Sequence, residues 1–164
     1  MPYLLGNMAR KIDQNDLDAF RRMSLGQPLL EVAKDFHKRA LARFSDYGHS
    51  GLQRSHQAVF LYLEPSGARL TSLAGRASMT KQAMGQLVDE VERLGYVERR
   101  SDPTDGRAKI VCFTDAGREV VRAGTEIARE IQEEYASLIG RHDLRTLHDI
   151  LGNLVGSMKE RRLS

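Results

Sequence analysis

Residues Thr71–Val121 read TSLAGRASMTKQAMGQLVDEVERLGYVERRSDPTDGRAKIVCFTDAGREVV, and the fold turns on this stretch. The spacing predicts a helix, a turn, a second helix over about Thr80–Leu94, two short strands joined by a charged loop, and the opening of a further helix. In the second helix Met84, Leu87, Val88, Val91 and Leu94 gather on one face at about 100° per residue. Gln82, Gln86, Asp89 and Arg93 fall opposite, with Gly85 beside them. Thr80 is placed to cap this helix, because its hydroxyl accepts an orphan backbone N–H. Gly95 stands where a helix ends on a left-handed residue. The run Asp102-Pro103-Thr104-Asp105-Gly106 is rich in turn residues. Lys109–Phe113 alternates and is β-branched, so it returns as the second strand. The pattern is a winged helix-turn-helix: mostly α, with a small antiparallel β wing. Such a module lays one helix in the major groove of DNA and its wing against the minor groove.

Several side chains suit that task. Gln82 and Gln86 lie one turn apart on the outward face, and glutamine reads adenine through a bidentate contact. Lys81 sits at the edge of that face, where a phosphate would lie. Gly85 costs roughly 1 kcal/mol relative to alanine inside a helix. Either a side chain there would collide with DNA, or another helix packs closely against it. Arg107 is expected at or near the hairpin tip, where a guanidinium can enter a narrow minor groove. Asp105 is expected to hold it by a charged hydrogen bond. Ordinary solvated surface is the competing reading for Gln82, Gln86 and Arg107. Charge favours the DNA reading. The chain has 22 acidic residues in 164, yet none falls between Pro65 and Val88, where Arg69, Arg76 and Lys81 stand. A face that displaces phosphate counterions needs such a gap.

The segment Leu87–Gly117, LVDEVERLGYVERRSDPTDGRAKIVCFTDAG, resembles the multiple antibiotic resistance regulator (MarR) family. The resemblance lies in a D-P-x-D-x-R-x-K wing followed by a T-x-x-G helix start, present as Asp102, Pro103, Asp105, Arg107, Lys109, Thr114 and Gly117. It extends more loosely over about Leu29–Met158. It implies a homodimeric DNA-binding regulator, usually a repressor relieved by a small molecule. Arg107 would be the wing arginine, and the recognition helix would begin at Thr80. Residues 1–27 depart from the family by exceeding its usual start. The candidate DNA-binding set is then Thr80, Lys81, Gln82, Gly85, Gln86, Asp105, Arg107 and Lys109.

The rest of the chain fits around this lobe. A length of 164 residues suits one compact subunit with a real core, and a net charge of +3 is compatible with nucleic acid. A single cysteine excludes an internal disulfide and fits a reducing cytoplasm. No apolar run is long enough for a membrane span, and the start lacks the order of a signal peptide. Residues 1–27 are expected to form a helical extension, with Asn15 or Asp16 capping a helix over about 16–24. It reads as an arm that packs on a partner subunit. Residues 28–50 and 114–164 are expected to supply dimerisation helices, and 51–113 the winged lobe. Pro28 suits a first helical turn. Ser55 is expected to cap a largely buried helix holding Val59, Phe60, Leu61 and Leu63. Thr71 is expected to cap the first helix of the DNA-reading pair, and Thr114 a long helix that Gly140 stops. The last helix is expected after His142-Asp143. Its Leu144, Leu147, Leu151, Leu154 and Met158 repeat in a heptad-like seam suited to a subunit interface. Two recognition helices one DNA turn apart would read a palindromic operator.

Other constellations carry less. His37, His49 and His56 show no metal-ligand spacing, so no metal is expected. Cys112 reads as a small strand residue rather than a redox switch. Asp13, Asp16 and Asp18 lack the glycine and final glutamate of a calcium loop. No catalytic motif is present, so neither an enzyme nor a cofactor is expected. Phe36, Phe44, Tyr47, His56, Phe60 and Tyr62 are candidates to line an effector pocket, with ordinary core as the competing reading. An architectural DNA binder with little sequence preference is the alternative to a specific regulator, and a pure interaction module is a third class.

Overall fold

The computed structural model of the chain describes residues 12–163. In order these form α1 (Gln14–Met23), α2 (Gly26–Asp46), a 3₁₀ turn (Arg54–His56) leading into α3 (Gln57–Tyr62), β1 (Ala68–Arg69), α4 (Leu70–Arg76), α5 (Lys81–Arg93), β2 (Val97–Asp102), β3 (Asp105–Phe113), α6 (Asp115–Ile139) and α7 (Arg141–Leu163). The fold is mostly helical, with one small antiparallel sheet of order β1-β3-β2. Ala68 pairs with Val111, and Val97 with Phe113. The chain divides into two compact units, one ending at His37 and the other beginning at Lys38.

In the first unit Asp13 caps α1, not Asn15 or Asp16. Asp16 stands three residues in and returns a bond, accepting the Asp13 N–H at 3.2 Å while its own N–H reaches the Asp13 carboxylate at 2.9 Å. This reciprocal pair fixes the helix start earlier than composition alone indicates. Leu17, Phe20 and Met23 are exposed along α1. α2 opens two residues past the α1 cap position, with Pro28 in its first turn.

The core of the second unit draws one to three side chains from each element around it. Val59, Leu63, Leu73, Met84, Val88, Val91, Val97 and Val111 are all buried. Phe60 stacks on Phe113 at 6.1 Å between ring centres and tilts against Tyr96 at 6.2 Å. Leu61, expected inside with its neighbours, is 65 % exposed. α3 is only one and a half turns long, so its far side faces solvent. Ser55 does not cap it, because the 3₁₀ turn precedes it directly. Nor does Thr71 cap α4. That helix starts at Leu70 because Arg69 is committed to the sheet opposite Ile110 and turns straight into the helix.

Where β3 meets α6 the packing is tight. The Thr114 N–H donates to the Tyr96 carbonyl at 3.1 Å. The Thr114 hydroxyl donates to the Gly95 carbonyl at 2.7 Å and accepts the Gly117 N–H at 3.0 Å. A Cβ on Gly117 would lie 1.9 Å from the Tyr96 carbonyl oxygen. Glycine is thus required by contact. α6 then runs to Gly140, whose φ of 90° reverses the chain in one residue, so α7 begins at Arg141 rather than after Asp143. Arg39 bonds Glu134 at 2.7 Å, Arg43 approaches Glu130 at 3.4 Å, and the Tyr47 hydroxyl donates to Glu130 at 3.0 Å. These contacts lace the end of α2 to α6. Along α7, Leu147, Leu154 and Met158 are exposed while Leu144 and Leu151 are half-buried. Among the described residues no helix is long and apolar enough to cross a membrane. Gly117→Ala should destabilise the protein by about 1–3 kcal/mol, the usual cost of overpacking, read as a lowered urea midpoint.

Candidate nucleic-acid interface

α4 and α5 are joined by a short turn whose geometry is set by backbone bonds. The Met79 N–H reaches the Ala74 carbonyl at 2.9 Å, and the Ser78 N–H reaches Gly75 at 3.1 Å. Ser78 has φ of 53°, a left-handed conformation that costs a non-glycine residue about 1 kcal/mol. Buried Leu73, Ala74 and Met84 hold the two helices together. Thr80 caps α5 as expected, accepting the Ala83 N–H at 3.1 Å. The inward face of α5 is Met84, Val88 and Val91, all fully buried. Lys81, Gln82 and Gln86 are exposed at its N-terminal end. A Cβ on Gly85 would meet only Leu70 Cδ2, at 3.6 Å, an ordinary contact. Packing within the chain therefore does not require glycine at position 85.

The wing is tighter than the sequence suggested. Its strands reach Asp102 and Asp105, leaving only Pro103 and Thr104 as the turn. The register shifts beside Ser101 and Asp102, since Ser101 pairs with Lys109 but Asp102 with Asp105. Gly106, Arg107 and Ala108 thus form a bulge just behind the tip. Arg107 is exposed there. The Asp105 carboxylate accepts the Arg107 backbone N–H at 3.2 Å and lies 3.6 Å from the Arg69 guanidinium. It therefore fixes the backbone under Arg107, whereas a bond to the guanidinium was expected. Lys109 donates to the Ser101 hydroxyl at 3.3 Å.

Asp102, absent from the sequence-derived set, anchors this turn. It is 7 % exposed and accepts from the Thr104 hydroxyl at 2.6 Å, the Thr104 N–H at 2.8 Å and Arg69 Nε at 2.7 Å. The Thr104 bonds, followed by Arg69, hold its carboxyl down at about 2. Arg69 carried no sequence signal beyond its charge, because its partner lies 33 residues away.

Some cations carry counter-charges and others do not. On α6 and at the start of α7, Arg118, Arg122, Arg129 and Arg141 each meet a carboxylate. Among the described residues Lys81 and Arg107 meet none, and Lys109 meets only a hydroxyl. Arg99 of β2 takes up two acids of α5, bonding Asp89 at 2.6 Å and also pairing with Glu92. Lys81 at the start of α5 and Arg107 in the wing thus keep no counter-charge among the described residues, which suits contact with a polyanion.

The candidate pocket residues fall in both units. Phe36 belongs to the first unit, with its ring edge-on to His37. In the second unit Phe44, Phe60 and Tyr62 pack on the core. Tyr47 is exposed, and its bond to Glu130 raises the phenol above its ordinary value. His56 is buried and bonds Glu90 at 2.8 Å. Among the described residues no cluster of three or more metal-binding side chains occurs.

The fold and this face define a winged helix-turn-helix protein. Residues 50–108 match the model of the MarR family. The transcriptional regulator HosA of Escherichia coli O111:H- is 29 % identical over 69 residues, spanning 42 % of this chain and 51 % of HosA, about half its length. An HTH-type transcriptional regulator of Mycobacterium tuberculosis (strain CDC 1551 / Oshkosh) is 28 % identical over 100 residues, spanning 52 % of this chain and 70 % of that protein. Among solved structures, the repressor CouR bound to a 23-mer DNA duplex superposes with a TM-score of 0.67 at 22 % identity, covering 89 % of this chain and 99 % of CouR. CouR from Rhodococcus jostii RHA1 bound to p-coumaroyl-CoA gives 0.62 at 21 % identity, covering 81 % and 92 %. Over residues 50–108 the chain is thus similar to the MarR family.

The Asp102 carboxyl yields a test by acid. Its value is lowered from 3.8 to about 2, so the ionised form is favoured by the fold. That stabilisation is complete above the ordinary carboxylate range and is lost as the pH falls through about 2. A carboxyl-carbon NMR titration should place the Asp102 midpoint near that value, with the Thr104 amide resonance moving alongside it.

Proposed function

We propose that the chain is a homodimeric, sequence-specific DNA-binding transcriptional regulator, a repressor released by a small-molecule effector. The observation that carries this is the pairing of exposed Gln82 and Gln86 with the unpaired cations Lys81 and Arg107, all on the reading end of α5 and the wing. The glutamines offer base-specific contacts, and the cations offer phosphate and minor-groove contacts. Thr80 fixes the start of α5, Asp105 fixes the backbone under Arg107, and Lys109 stands across the ladder from Ser101. Dimerisation through the exposed side of α7, as two symmetric copies, would present two α5 helices to a palindromic site in double-stranded DNA. CouR, of like fold, is a repressor whose structures hold DNA in one case and p-coumaroyl-CoA in the other, which supports an effector-linked mechanism here. An effector would act only by binding one dimer shape better than the other.

The decisive experiment is binding to a duplex from the chain's own upstream region, over a salt series, with excess random DNA as competitor. A specific regulator keeps its complex under competitor and loses affinity as salt rises. Binding that random DNA abolishes would indicate an architectural protein instead. Arg107→Ala should weaken the complex by about 1–3 kcal/mol, the range for a groove-reading arginine. Gly85→Ala should move two properties in opposite directions: stability up by as much as about 1 kcal/mol, and DNA affinity down. A Gly85→Ala variant that binds DNA as well as wild type would show that the duplex does not approach α5 at that point.

A further inference from the structure

His56 lies 2 % exposed beneath α5, and both of its ring nitrogens are used. The Gln53 N–H, at the open start of the 3₁₀ turn, points at Nδ1 across 3.1 Å. A backbone N–H can only donate, so Nδ1 accepts and the ring proton is on Nε2. Nε2–H then donates to the Glu90 carboxylate at 2.8 Å. The imidazole is thus a neutral bridge between the 3₁₀ turn and the recognition helix. Glu90 is placed one turn beyond Gln86, and Gln86 one turn beyond Gln82, along a single ridge of α5. A free carboxylate at the end of that ridge would add a negative charge to the face the glutamines share, which would repel phosphates. The other α5 acids, Asp89 and Glu92, are both held by Arg99. Every carboxylate of α5 is therefore engaged by a group of the lobe.

We propose that His56 is a positioning residue for DNA recognition: it holds the Glu90 carboxylate turned into the lobe, so that α5 presents its glutamines without an adjoining negative charge. This rests on the DNA-binding reading of α5. It makes no use of His56 as an effector-pocket residue.

The test is a double-mutant cycle read as DNA affinity, with the labelled upstream duplex as probe and thermal melting as the check on folding. His56→Ala should weaken binding about tenfold at low salt, because Glu90 is set free. Glu90→Gln keeps an acceptor for Nε2–H, removes the charge, and should bind within about twofold of wild type. In the Glu90→Gln background His56→Ala should then cost no more than about twofold. His56→Gln can still reach Glu90 with an amide N–H and should recover most of the affinity. His56→Asn can serve only Gln53 and should not. This last pair decides the matter if His56→Ala melts below the assay temperature. An equal loss for His56→Ala in both backgrounds, or equal binding by the Gln and Asn variants, would overturn the proposal while leaving the DNA-binding reading intact. A wild-type protein that binds neither specific nor random duplex would defeat that reading and this proposal with it.

Discussion

The lobe and the long helix α6 depend on one close approach, that of Gly117 to the carbonyl of Tyr96. No side chain fits between them. Thr114 closes the junction from both directions, giving its hydroxyl proton to Gly95 and accepting the N–H of Gly117. Gly95 itself has φ of 81° and lets the chain leave α5 and enter β2 at once. The end of α5, the base of the wing and the start of α6 are therefore one rigid corner. A movement of α6 would be transmitted to α5 through backbone contacts rather than through flexible side chains. That is the kind of coupling a regulator needs if events among its outer helices are to change how it meets DNA.

Around that corner the polar ties divide the labour. Arg69 and Asp102 join β1 to the wing turn. Arg99 joins β2 to α5. His56 joins the 3₁₀ turn to α5. Each tie spends a charge or a buried ring on orientation, and each leaves the outward cations untouched. Removing one partner would leave the other unsatisfied, which costs more than the bond itself contributes.

How much of this was legible depended on sequence distance. Local signals read well: the Thr80 cap, the apolar stripe of α5, the Gly95 stop, the Thr114 cap and the wing motif all act within a few residues. Short-range competition misled at element ends. Thr71 is a good capping residue, but pairing of Arg69 in the sheet started α4 a residue earlier. Asp13 and Asp16 cap α1 as a pair, which single-residue preference does not reveal. The wing turn contracted to Pro103 and Thr104 because Asp102 satisfies the turn from inside. The long-range pairs were invisible. Nothing local in a lone arginine at 69 or histidine at 56 points to an acid 33 or 34 residues on. Those contacts exist only once the core has set the elements side by side.

The uneven pairing of charge has a consequence for life among other polyanions. A protein whose spare cations were spread evenly would cling to any acidic surface from any side. Here Arg118, Arg122 and Arg129 of α6 carry their own counter-charges, while Lys81 of α5 and Arg107 of the wing do not. If the chain binds DNA as proposed, ribosomal RNA or a heparin resin would also meet the unpaired Lys81 and Arg107. Such ligands would then compete with DNA for those side chains, so the concentration of free chain would follow the nucleic-acid content of its surroundings.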